Sequence, residues 1–282
     1  MCFTKQQTLI YATSLFGISA YVSNSPHELI KHHRYLASYY ALMELFQYMG
    51  YMVIENESLS HFNALVTFLP FIQICFQPAV TTWWLMRRDK HLAAHRRSVK
   101  GQKTKKALEE KRDAQDKIIV RYSLLGSTLD FLRARPDNYA HLATTLTTWF
   151  PGQVWATFQS PNHLGWSMPV VEQSYWFPGT MHFFNITAPF FIKGKWPNMI
   201  SGVIFVVTGP LLAEYVVNFD MASAGSVWCF QSVVQVMMPF VMDCFEVYHP
   251  KKKILMWLTV LACLGVYAWN FYVIRNLNIC RA

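Results

Sequence analysis

The chain has 282 residues, 53% of them hydrophobic and 15% charged, where a soluble protein of this length usually carries about 25% charged residues. Its net charge of +9 does not point to nucleic acid, because fifteen of its 25 basic residues fall in one polar stretch, 87–137, between apolar blocks. The six cysteines form no CxxC pair, which favours small buried hydrophobes over metal or disulfide roles.

The apolar residues come in blocks of membrane length, which a soluble core does not need. They predict an all-α fold: a polytopic helical membrane bundle of seven to eight transmembrane helices in one domain, 1–282. The first span falls at 7–23 and has neither the basic flank nor the cleavage site of a signal peptide. The second and third form a hairpin over 35–86. A polar segment, 87–138, is inserted before the fourth span at 139–158, which Pro151-Gly152 interrupts. The remaining spans fall at 175–192, 197–217, 225–247 and 254–274. Dropping the first or the fourth gives seven.

Lysine and arginine alternate between the connections. The stretches 24–34, 87–137, 193–195 and 251–253 hold 22 of the 25 basic residues, whereas the other connections carry Glu55, Glu57, Glu172 and Asp220. The positive-inside rule then makes the 87–138 loop cytoplasmic and, with eight spans, both termini extracellular or lumenal. Within that loop, Ile118, Ile119, Tyr122, Leu125, Leu129 and Leu132 fall near one helical stripe. This pattern suits an amphipathic helix lying on a membrane surface. The basic segment 87–135 also suits contact with anionic lipid headgroups.

Polar residues recur within the apolar blocks. Glu44 and Gln47 share one helix face, and so do Gln73 and Gln77. His182 with Asn185, Glu214, Gln231 with Gln235, and Asp243 extend the set. Polar groups at depth are costly, so they must face protein or water. They are read as interhelical hydrogen bonds or as the lining of a cavity or proton path. The segment holding His163 and Trp166 is either an aromatic interfacial belt or a pocket mouth. Asn56 begins an Asn-Glu-Ser glycosylation sequon in a lumenal connection.

Other chemistries lack their residues. Covalent retinal needs a lysine within the last spans, and 225–247 and 254–274 contain none; no cofactor is expected. The candidate metal ligands His163, His182, Glu44, Glu214 and Asp243 are scattered over different helices, and HExxH is absent. His91 and His95 lie four apart among arginines and lysines, a poor cation site, so no metal is expected. GxSxG, GxGxxG and P-loop motifs are also absent.

Five stretches resemble a known family: the opening MCFT, MELFQYMGY, FNALVTFLPFIQICFQP, HLGWSMP and MHFFNITAP. They are similar to multi-pass membrane proteins of large DNA viruses of algae and protists and of some of their hosts. The resemblance covers about half the chain and departs over 123–159. It implies a membrane bundle of seven or eight spans and no particular activity. Its matching residues Glu44, Gln47, Gln77, Pro78, His163, Trp166 and His182 coincide with the polar set.

The leading functional expectation is a channel-, transporter- or receptor-like bundle whose interior cavity is lined by Glu44, Gln47, Gln73, Gln77, His182 and Asp243. Glu44 would carry the charge or proton, His182 would titrate with it, and the amides would orient a small molecule or ion. His163, Trp166, Asn185, Glu214, Gln231 and Gln235 form a secondary set. The alternatives are a lipid-modifying enzyme using His and acidic residues, and a structural membrane protein with no ligand.

Overall fold

In the computed structural model of the chain, residues 5–55, 63–101, 106–132, 187–192, 199, 202–203 and 238–276 are described, and all their regular structure is helical. Helix α1 (Lys5–Ser23) buries Thr8, Ala12, Leu15, Ser19 and Val22, spaced four and three apart on one stripe. That stripe packs on α3 (His33–Glu55). Its small residues allow close approach: Ser19 Oγ donates to the Arg34 carbonyl at 3.1 Å and lies 2.7 Å from Ser38 Oγ. One turn, α2 (Glu28–Lys31), follows Ser25-Pro26, and His32 continues into α3 with right-handed helical backbone.

Helix α4 (Asn63–Val99) runs antiparallel to α3. His32 meets Trp84, Tyr40 meets Gln77 and Tyr39 meets Gln73 along the seam. Gly101, at φ +63°, ends α4 in the left-handed region that favours glycine. Helix α5 (Lys106–Leu132) then returns along α4. Arg97 pairs with Glu109, Lys90 with Asp113 at 2.8 Å, and Thr82 with Ser123 at 2.9 Å. The core is centred where α3 and α4 meet, with Leu36, Tyr40, Met43, Trp84 and Leu85, and Leu15 of α1 and Phe190 of the 187–192 run join it. A further helical run, 238–248, stops at His249-Pro250 and precedes α6 (Lys253–Asn276).

The hairpin expected over 35–86 is present as α3 and α4, and the first and last spans correspond to α1 and α6. The membrane reading is corrected. Among the described residues no helix is long and apolar enough to cross a membrane. The reason is clearest in α3, where Glu44, Gln47 and several tyrosines interrupt the apolar run. Long apolar stretches read as spans instead include helix–helix faces of a packed core. The polytopic membrane bundle and the multi-pass localisation therefore are not supported. The transmembrane assignment, the cytoplasmic placement of 87–138 and the lumenal termini go with them. The fourth span, 139–158, lies outside the described residues.

Candidate functional site

The strongest buried charge cluster joins α3, α4 and the 238–248 helix. Arg88 lies one turn after Trp84 on α4, so both share a face. Its guanidinium donates from Nε to Asp243 Oδ2 at 2.6 Å and from Nη2 to Oδ1 at 2.7 Å. This two-point fork fixes the carboxylate plane. His33, at the start of α3, donates from Nε2 to Asp243 Oδ2 at 2.8 Å. Arg88 is 2% exposed, Asp243 1% and His33 3%. Trp84 and Phe240 stand edge-on to the His33 ring, with centroids 5.4 and 5.2 Å away.

The electrostatics assign the charge states. Burial raises the Asp243 pKa, but the Arg88 charge and the His33 hydrogen bond outweigh it, leaving the carboxyl below its usual range. Burial lowers Arg88, and Asp243 more than offsets this, so the guanidinium stays charged. Burial holds His33 below its ordinary value despite Asp243. The site is an ionised Arg–Asp pair with a neutral imidazole docked on it. Beside it, burial pushes His32 down to about 4; its Nε2 donates to the Trp84 carbonyl at 3.0 Å. The neighbouring Cys244 thiol is pushed up to about 12 by burial, so it is no nucleophile.

Arg88 and Asp243 form part of the wall of a cavity of about 220 Å³ between α4, the 238–248 helix and the start of α6. Leu92, Met242, Phe245 and Trp257 supply apolar lining. Arg96 and Glu246, paired at 2.6 Å, stand at one side. Lys253 and His249 also line it, both exposed, and neither has an ion-pair partner among the described residues. Among the described residues no group of three or more His, Cys, Asp or Glu is placed to hold a metal.

Five of the six residues expected to line a central cavity are described, and of these Asp243 alone borders this one. Glu44 is fully buried on α3, eleven residues from His33 and therefore about 16 Å along the helix axis. Gln77 donates to Tyr40 Oη at 2.7 Å, and Gln73 donates to the Tyr39 carbonyl at 2.5 Å. Gln47 is buried with neither amide atom hydrogen-bonded among the described residues. The hairpin set thus acts mainly in the α3–α4 seam. His182, His163, Trp166, Asn185, Glu214, Gln231, Gln235 and Asn56 lie outside the described residues.

Sequence reasoning missed His33 and Arg88. His33 was placed in a connection and Arg88 at the head of the basic segment, where charge normally faces water. A signal was present: Trp84, Arg88 and Leu92 recur every four residues, an apolar stripe with one cation set in it.

A family model matches residues 12–100 and 103–247, a span that includes His33, Arg88 and Asp243. The chain belongs to a family of unknown function, DUF5765. The match runs through 123–159, where the sequence resemblance departs. No curated protein and no solved structure matches the chain.

Proposed function

We propose that this chain is a ligand-binding protein whose site is the cavity beside the Arg88–Asp243 pair. Its ligand is a small organic anion with an apolar portion. The observation that carries this reading is the division of labour around the cavity. Arg88 sets its charge against Asp243 and Arg96 against Glu246, whereas Lys253 and His249 line the cavity with no acidic partner among the described residues. Phe245, Trp257 and Met242 provide the apolar wall. A few convergent polar groups on an apolar lining are the usual make-up of a small-molecule site, and a cavity of about 220 Å³ takes a ligand below drug size.

Arg88, Asp243 and His33 hold the wall in place. A hydrolytic reading would use His33 as a base oriented by Asp243. Against it, His33 is 3% exposed and is not among the residues lining the cavity. We also propose, on the resemblance of the quoted segments alone, that the family is one of large DNA viruses of algae and protists and their hosts.

The test is thermal unfolding of the full chain with phenyl phosphate, phenol or inorganic phosphate. Binding to the folded state raises the midpoint in a saturable way. The expected result is a larger rise with phenyl phosphate than with either fragment, reduced in Lys253→Ala. No rise, or equal rises in wild type and variant, overturns the proposal.

A further inference from the structure

Helix α5 packs Ile119 and Val120 against the core and carries a second apolar row on its outer side. Ser123 and Ser127 are buried, 7% and 0% exposed, and Ser123 bonds to Thr82 of α4. Ile118, Tyr122, Leu125 and Leu129 are 52%, 71%, 54% and 42% exposed. Their spacing of four, three and four puts them on one face. A one-face row of large exposed apolar residues marks an interaction surface rather than scattered exposure.

The charge around the row identifies what it meets. On a helical projection Lys117 and Arg121 flank one edge of the stripe, and both are exposed. No acidic residue occurs between Lys117 and Leu129, and Asp116 falls on the opposite, serine side. Of the acidic residues earlier in α5, Glu109 pairs with Arg97 and Asp113 with Lys90 on α4, and the exposed Glu110 lies about two turns before Lys117. The outward face over 117–129 is therefore apolar with a net positive border, and Tyr122 adds an aromatic body with a polar tip. Such a face suits the boundary between headgroups and acyl chains of an anionic bilayer. A second copy of the same face would bring Lys117 and Arg121 against like charges, which disfavours self-pairing.

We infer that the outer face of α5 docks peripherally on anionic lipid, seating Ile118, Tyr122, Leu125 and Leu129 at the acyl boundary with Lys117 and Arg121 on the headgroups. This contact is independent of the ligand cavity and leaves α5 packed on α4 through Ser123.

The test is co-sedimentation of the full chain with vesicles of phosphatidylcholine alone or with roughly a third phosphatidylserine. The expected result is binding to the anionic vesicles only. Leu125→Ser with Leu129→Ser should abolish it, and Lys117→Gln with Arg121→Gln should weaken it about thirtyfold. All four positions are exposed, and circular dichroism of each variant confirms that the helices remain. Absence of binding by the wild-type chain overturns the inference. So does equal binding to neutral vesicles, or binding that the leucine variants retain. A wild-type dimer dissociated by the leucine changes, without vesicle binding, overturns it in favour of a second copy.

Discussion

Arg88 grips Asp243 through two hydrogen bonds of 2.6 and 2.7 Å, joining positions 155 residues apart in the chain. Both groups are out of water, so the pair is held against a large desolvation cost. Its value is specificity: it ties the 238–248 helix to α4 at one register and brings His33 of α3 to the same carboxylate. Breaking it from one side leaves an uncompensated buried charge. Asp243→Leu should cost about 3–5 kcal/mol, and Arg88→Met a similar amount. The double change should cost clearly less than the sum. A double-mutant cycle in denaturant measures this; additive losses would mean that the two side chains do not interact.

Acid should destabilise the protein earlier than its carboxylates alone require. His32 and His33 have folded values below their unfolded one, so the unfolded chain takes up protons first as the pH falls. For His32 the window runs from about 6.5 down to about 4. Stability is full above that window and falls through it, by up to about 3 kcal/mol for His32. His32→Gln should flatten the curve between these limits. An unchanged pH profile would show that His32 is not buried as a neutral ring.

The amides of the α3–α4 seam should divide into two kinds. Gln77 donates to Tyr40 Oη, so Gln77→Met removes one buried hydrogen bond and should cost about 1–2 kcal/mol. Gln47 buries its amide without a partner among the described residues, so Gln47→Met should be neutral or stabilising by about 1 kcal/mol. Midpoints of chemical unfolding compare the two. Equal losses would show that Gln47 also makes a bond.

At the α4–α5 turn, Gly101 has φ +63° and open space around its missing side chain. Gly101→Ala should therefore cost only the backbone penalty, about 1 kcal/mol. A loss several times larger would mean that the turn transmits strain into the helices.

The helices were legible because their apolar spacing is regular: α1 buries positions 8, 12, 15, 19 and 22, and α6 begins within a residue of the last expected span. Their surroundings were not. A run of twenty apolar residues has the same pattern whether it faces lipid or two neighbouring helices, and α3, between α1 and α4, faces two. Asp243 was legible as a costly carboxylate in an apolar stretch. Its partners were not, since His33 and Arg88 meet it across 210 and 155 residues, and no local pattern encodes such a pairing. Arg88 also sat among charges that do face outward, such as Lys90.

The most direct test of a ligand site beside Arg88 and Asp243 is isothermal titration of the full chain with phenyl phosphate, for wild type and Lys253→Glu. The predicted result is one-to-one binding with a dissociation constant of about 1 mM or tighter, as expected for so small a ligand. Charge reversal at Lys253 should weaken it at least about tenfold, roughly the effect of one lost ionic hydrogen bond. Absence of saturable heat with the wild-type chain, or equal affinity in the variant, would contradict the assignment of the cavity.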